Sequence, residues 1–282
     1  MAIKFIIESA SDISPELAEK LGLIHLSFKV IFGDKEYLDA VELTHKDFYE
    51  KLTTTDISPS TSQINPAEFE EAYQKVVANG DIGIVITVTG KLSGTYQSAM
   101  IAAADYKGKI FVVDSESVAI GERLLIMRGL ELRDRGLSAE EIVDRLNAEK
   151  KKIRLFALLD TLKYVKRSGR VSSLAAFAGT LLSIKPVISM EDGLLSIAGK
   201  ARGARQGQKL LYALMDKCGG INFEKPYYFA YTGLSDSSVK QFIADCPEMK
   251  DIPADQVPVS SIGAAIGTHA GPGAIAVAFF AK

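Results

Sequence analysis

Short, fully apolar runs alternate along the first half of the chain with segments whose apolar residues recur at helical spacing, and this alternation confines that half to a layered α/β fold on a largely parallel sheet. Residues 3–7 form the first such run. The turn-forming Ser9-Ala10-Ser11-Asp12 then offers cap chemistry before a helix from Pro15, where Leu17 and Leu21 share a face and Gly22 supplies the stop. Residues 24–32 read as the next strand, and Thr44 caps a helix carrying Phe48, Tyr49 and Leu52. After a polar loop over 53–66, Phe69, Ala72, Tyr73 and Val76 mark a helix that ends at Asn79-Gly80. A strand over 82–88, a helix over 93–105 and a strand over 109–113 then make one β-loop-α-β unit with the right-handed crossover expected of parallel strands. Two more helices close this half, one over 119–135 and one opening with the capping box Ser138-Ala139-Glu140-Glu141.

Beyond residue 153 the pattern changes. A strand over 153–159, a basic helix over 161–166 and an Ala/Leu-rich stretch to 184 precede strands at 187–190 and 194–198, which Asp192-Gly193 joins as a hairpin. Strands at 227–231 and 274–280 with helices at 206–215 and 237–244 complete a mixed α/β unit. The expectation is two α/β domains: an N-terminal one over 1–155 with a mainly parallel sheet flanked by helices, and a C-terminal mixed one over 156–282. A chain of 282 residues with 47% apolar content can bury cores for both.

Charge and motifs exclude several functions. With 33 basic and 35 acidic residues, the formal charge of −2 creates no global field for nucleic acid. No apolar run approaches the ~20 residues of a membrane span, which leaves only transient contact with a membrane surface open. The first run is too short for a signal peptide. Cys218 and Cys246 form no Cys-x-x-Cys and read as reduced packing residues of a cytoplasmic protein, with no metal site. There is no phosphate loop. Gly271-Pro272-Gly273-Ala274-Ile275-Ala276 imitates a dinucleotide fingerprint but leaves no room for a βαβ unit after it. Ser93 lies outside any nucleophile elbow. A hydrolase using Ser93 as nucleophile and His269 as base stays conceivable, although no orienting acid is identifiable. Asp12 and Asp114 could hold a metal or act as acid and base; the simpler expectation is that Asp12 caps a helix and Asp114 satisfies loop N–H groups.

Small hydroxyls crowd three loops that a parallel sheet brings to the carboxyl ends of its strands: Ser9 to Asp12, Ser58 to Gln63, and Leu92 to Thr95. Ser93-Gly94-Thr95 opens a helix, supplying donors and the positive end of the dipole, and Gly94 lets a ligand approach the backbone. That chemistry suits a small anion. The glycine-rich run Gly263 to Gly273 carries His269, either as a further donor to an anion or as a polar residue in a tight turn feeding a strand.

Seven stretches in order, Glu8-Ser9-Ala10-Ser11-Asp12, Ser60-Thr61-Ser62-Gln63, Leu92-Ser93-Gly94-Thr95-Tyr96-Gln97-Ser98-Ala99, Leu159-Asp160-Thr161-Leu162-Lys163-Tyr164, Ser168-Gly169-Arg170-Val171-Ser172, Ile184-Lys185-Pro186-Val187 and Gly267-Thr268-His269-Ala270-Gly271-Pro272-Gly273, together resemble the DegV family of bacterial fatty-acid-binding proteins. The first of these departs from the usual Asp-Ser by one methylene. The resemblance implies a long-chain fatty acid as ligand, with its tail enclosed by the C-terminal domain and its carboxylate at the domain junction. Thr61 and Ser93 would bond the carboxylate, with Ser62, Gly94 and His269 nearby. Phe177, Leu181, Leu182, Ile188 and Ile266 are candidates for the tail lining, with Leu158, Ile184, Ile197 and Phe229 behind them, although each could equally be a core residue. The resemblance further implies a carrier subunit without catalytic machinery or cofactor. It would present the lipid to a fatty acid kinase catalytic subunit for acyl phosphate formation, over a surface including Arg170 and Arg202. Burying an acyl chain at ~0.8 kcal/mol per methylene outweighs a helix-terminus contact of ~1 to 2 kcal/mol, so the tail would supply affinity and the hydroxyls orientation.

Overall fold

The computed structural model describes residues 1–170 and 184–282. In chain order its elements are β1 (Ile3–Glu8), α1 (Pro15–Leu21), β2 (Ile24–Leu26), β3 (Lys29–Phe32), β4 (Lys35–Leu38), α2 (His45–Thr54), β5 (Ser60–Ser62), α3 (Pro66–Ala78), β6 (Ile82–Thr87), α4 (Thr95–Ala102), β7 (Ile110–Asp114), α5 (Ala119–Asp134) and α6 (Ala139–Glu149). They continue with β8 (Ile153–Leu158), α7 (Lys163–Ser168), β9 (Ile184–Glu191), β10 (Leu194–Arg202), α8 (Ala204–Lys217), β11 (Tyr227–Tyr231), α9 (Ser237–Ala244), β12 (Val259–Ser261), α10 (Ala264–Ala270) and β13 (Ile275–Phe280).

Among the described residues the strands form three sheets. The first is parallel, in the order β2-β1-β6-β7. The second is mixed, in the order β10-β9-β8-β13-β11-β12, and begins at Ile153. A small antiparallel sheet, β4-β3-β5, stands apart. This is the α/β architecture expected from the alternation of apolar patterns. Helices α3 and α4 cover one face of the parallel sheet, α5 lies between the two large sheets, and α8 and α9 cover the far face of the mixed sheet. Sandwiched in this way, α5 is buried on nearly every side, which is why its apolar residues do not form a stripe.

The mixed sheet sorts its residues strictly by period two. Phe156, Leu158, Val187, Phe229, Ile275, Val277 and Phe279 point to the outer core beneath α8 and α9. Leu155, Ala157, Ile188, Ala230, Ala276, Ala278 and Phe280 face α5. Leu158 and Phe229, expected near a ligand tail, therefore belong to the outer core.

Several local expectations shift for identifiable reasons. Residues 24–32 split into β2, parallel to β1, and β3, in the small sheet. At the break, Phe28 N–H donates to Ser9 Oγ at 3.0 Å and its carbonyl accepts from Asp39 N, so neither group is left for a ladder. The loop over 53–66 contains β5, whose Thr61 pairs with Val30. Ser14, not Asp12, caps α1, through its hydroxyl to Leu17 N. Asp114 does satisfy loop N–H groups, accepting from Gly90 N at 3.1 Å and Glu116 N at 2.8 Å. The glycine-rich run near the C-terminus is not a plain turn but the helix α10, and Gly267 lets it lie against α2: a Cβ there would stand 2.5 Å from the Tyr49 hydroxyl.

Candidate functional site

The carboxyl ends of β1 and β6, the edge strand β5, the start of α4 and the helix α10 surround a cavity of about 600 Å³. One end is polar, where Thr61, Ser62, Gln63, Ser93, Gly94 and His269 meet. The wall also carries the charged Lys91 and Arg170, and apolar Phe28, Val88, Val118, Val165, Ile188, Leu195 and Ile266. The structure thus brings together all five residues expected at a carboxylate, from three separate stretches of chain.

Each polar residue is positioned by its element. Gly94, the first residue of the α4 cap, has no side chain to satisfy the helix N–H groups, and Ser93 precedes it. Ser93 Oγ accepts from Thr95 N at 3.3 Å and lies 2.9 Å from Thr95 Oγ1, an arrangement that turns the hydroxyl toward the helix start. Gln63, at the end of β5, donates from Nε2 to Ser98 Oγ at 3.0 Å, and its carboxamide lies against Gly94, where a Cβ would come within 1.9 Å of it. A side chain at 94 would have to push the Gln63 carboxamide aside. Gln63 belongs to the motif Ser60-Thr61-Ser62-Gln63, yet nothing in its spacing marks it as the strut between β5 and α4.

Thr61 Oγ1 and His269 Nε2 share a hydrogen bond of 3.1 Å. Burial, and then the charge of Arg170, holds the His269 imidazole at about 4, well below its ordinary value, so the ring is neutral at neutral pH. It can offer one N–H, not a positive charge. Its Nδ1 is buried without a partner among the described residues. Ser93 bonds Thr95 while His269 bonds Thr61, so neither the nucleophile–base bond nor the base–acid bond of a hydrolase is formed.

Helix α10 reaches this position because carboxylates from the first 40 residues of the chain hold its start. Asp39 accepts from Ala264 N at 3.0 Å and Ala265 N at 3.2 Å, and Asp12 accepts from Gly263 N at 2.7 Å. Both acids are pushed upward, primarily by burial. Glu8, with its extra methylene, reaches Val88 N at 2.7 Å and Ala10 N at 3.1 Å, tying two cavity-lining backbone segments to the end of β1. Sequence reasoning missed these struts because their partners lie up to 251 residues away.

Of the expected tail-lining residues, Ile188 and Ile266 line the cavity. Phe177, Leu181 and Leu182 lie outside the described residues. Ile184 and Ile197 are absent from its wall, and Leu195, Val118 and Phe28 stand in it. A smaller apolar cavity of about 60 Å³ shares Val118, Ile188, Leu195, Ile266 and Ala270 with the large one and continues toward the mixed sheet. The register there aligns Ile188, Ala157, Ala276 and Ala230 side by side across β9, β8, β13 and β11, and all four line the small cavity. The alternation of alanine with large residues in Ala274-Ile275-Ala276-Val277-Ala278 was the signal that could have found this floor.

Arg170 lines the mouth of the large cavity, and Arg202 ends β10 on the surface, where its N–H bonds Gln206. Among the described residues there is no group of three or more His, Cys, Asp or Glu that could hold a metal ion, and no helix is long and apolar enough to cross a membrane.

Comparison with known proteins accords with this geometry. Residues 2–282 match the family described as "Uncharacterised protein, DegV family". A DegV domain-containing protein of Caldanaerobacter subterraneus is 32% identical over 99% of both chains. A fatty-acid-binding DegV family protein from Thermus thermophilus superposes with a TM-score of 0.89 at 29% identity over 100% of both chains. DegV of Bacillus subtilis, described as a fatty acid binding protein, gives 0.84 at 28% over 100% of both. A stearic acid-binding protein of Eubacterium ventriosum gives 0.85 at 26%, covering 99% of this chain and 97% of that one. The chain belongs to the DegV family.

Proposed function

We propose that this protein binds a long-chain fatty acid as a carrier, without a catalytic step of its own. The observation that carries the reading is a single cavity with a hydroxyl-rich helix start at one end and an apolar continuation at the other. The carboxylate sits against Thr61 and Ser93, with the Ser62 and Gly94 backbone and the neutral His269 N–H around it. The tail runs past Val118, Ile188 and Ile266 toward the alanine floor. Each buried methylene adds ~0.8 kcal/mol, so affinity comes from the tail and orientation from the head group.

The division of labour follows the two units, with residues 1–155 supplying the head-group loops and 156–282 most of the tail enclosure. Because the carboxylate end lies beside Arg170 at the cavity mouth, a partner fatty acid kinase could reach it there, with Arg202 as a second contact, and form the acyl phosphate. Two cysteines free of any disulfide favour the cytoplasm as the compartment. Calorimetric titration with palmitate and with its methyl ester tests the head-group assignment. The free acid should bind on the order of tenfold more tightly, the worth of charge-assisted bonds to the helix start. Equal affinity would remove the carboxylate from the account.

A further inference from the structure

Beneath the head-group loops, two carboxyl groups face each other with no exposure at all. Glu8 ends β1 and Glu122 lies in the first turn of α5, which packs against the end of β1; both are 0% exposed, and each carboxyl shifts the ionisation of the other. Both oxygens of Glu8 already accept backbone N–H groups, from Val88 and from Ala10. Neither oxygen of Glu122 has a donor among the described residues. Two ionised carboxylates are acceptors only and cannot bond one another, whereas a carboxylic acid can donate to a carboxylate. A fully buried, unpaired charge would also carry a desolvation cost of several kcal/mol.

We propose that Glu122 carries a proton at neutral pH, donates it to Glu8, and thereby acts as a positioning residue for the two loops that receive the ligand's head group. With this O–H in place, Glu8 is held ionised at pH 8 and accepts from Val88 N and Ala10 N. Val88 begins the loop to Ser93, and Ala10 lies in the turn whose Ser9 hydroxyl fixes Phe28. The surroundings favour this charge state. Burial first, and then the Glu8 charge with Asp12 and Asp114, pushes Glu122 well upward. Glu8 is raised to about 7, mainly by burial and further by Asp39, and lowered by its bond to Glu122 and the two N–H groups. The nearby cation, Arg123, spends its contacts elsewhere, on the Asp12 carbonyl, Ser260 Oγ and the Tyr228 ring. Keeping one of these acids neutral also limits the negative field under a site that must accept a carboxylate.

This inference rests on the fatty acid reading of the cavity. It is tested by titrating the full chain at pH 8 with a fluorescent long-chain fatty acid, alongside infrared difference spectra of the carboxyl region. Glu122→Gln keeps a donor without a charge and should bind within about twofold of the wild type, whereas Glu122→Ala should weaken binding on the order of tenfold. The wild type should show a protonated-carboxyl band at pH 8 that Glu122→Gln lacks. If Glu122→Gln binds as poorly as Glu122→Ala, or the wild-type spectrum at pH 8 lacks the band, the proposal is overturned. The wild-type spectrum decides the matter even if Glu122→Ala does not fold. Failure of every variant and the wild type to bind any fatty acid, with the band present, would instead refute the reading of the cavity.

Discussion

Replacing Ala276 by valine should shorten the fatty acid this protein accepts. Ala276 lies in the middle of the row formed with Ala157 and Ala230 on three adjacent strands, and its methyl faces the small apolar cavity beneath α5. Valine adds two carbon atoms at that point and suits a β-strand, so the backbone has no reason to move. The two carbons occupy space that the last two methylenes of a full-length tail would fill. At ~0.8 kcal/mol per methylene, the longest ligands lose about 1.6 kcal/mol, or roughly 15-fold in affinity, while ligands two carbons shorter are unaffected. Competition binding over a series of saturated fatty acids, on variants with matched thermal midpoints, reads this directly. The optimum should move down by two carbons. An equal loss at every chain length would mean that the substitution acts through general repacking, and no loss at any length would mean that the tail does not reach the alanine floor.

Ser93→Ala should reduce fatty acid retention by no more than about 30-fold, because a helix-terminus interaction is worth ~1 to 2 kcal/mol, but should impair transfer to a fatty acid kinase more strongly; abolished binding with an intact fold would refute this division. Charge reversal at both Arg170 and Arg202 should lower phosphorylation of the bound lipid at least tenfold while lipid affinity stays within twofold, as expected for cations at a partner surface. His269 should make the fold sensitive to acid. Its folded-state value is depressed to about 4 against 6.5 unfolded, so the unfolded chain binds the extra proton in that window and stability falls as pH drops from 6.5 toward 4. His269→Gln should flatten that part of a melting-temperature profile relative to the wild type, and an unchanged slope would contradict the buried neutral ring.

Where local chemistry decides structure, the sequence was easy to read. The Ser138 to Glu141 capping box, the Gly22 stop of α1 and the Asp192-Gly193 hairpin all form as their residues demand. Two hydroxyl loops, Ser9 to Asp12 and Leu92 to Thr95, fall at the carboxyl ends of parallel strands because the βα alternation forces them there, whereas Ser58 to Gln63 contains β5 of the small antiparallel sheet. Contacts between distant segments were not legible. Phe28 leaves the ladder because of Ser9 and Asp39, and α10 forms where glycines suggested a turn because Asp12 and Asp39 cap it from outside. The tail wall was only half visible, since apolar residues look alike until the strand register assigns Leu158 and Phe229 to one face and Ala157 and Ala230 to the other.

Native mass spectrometry of the purified chain, followed by extraction and identification of whatever it carries, tests the central claim most directly. One non-covalently held long-chain fatty acid per chain, lost on denaturation and regained on adding the free acid, is the result the cavity predicts. A chain that carries no lipid and takes none up, or one that retains an acyl group covalently on Ser93, would contradict it.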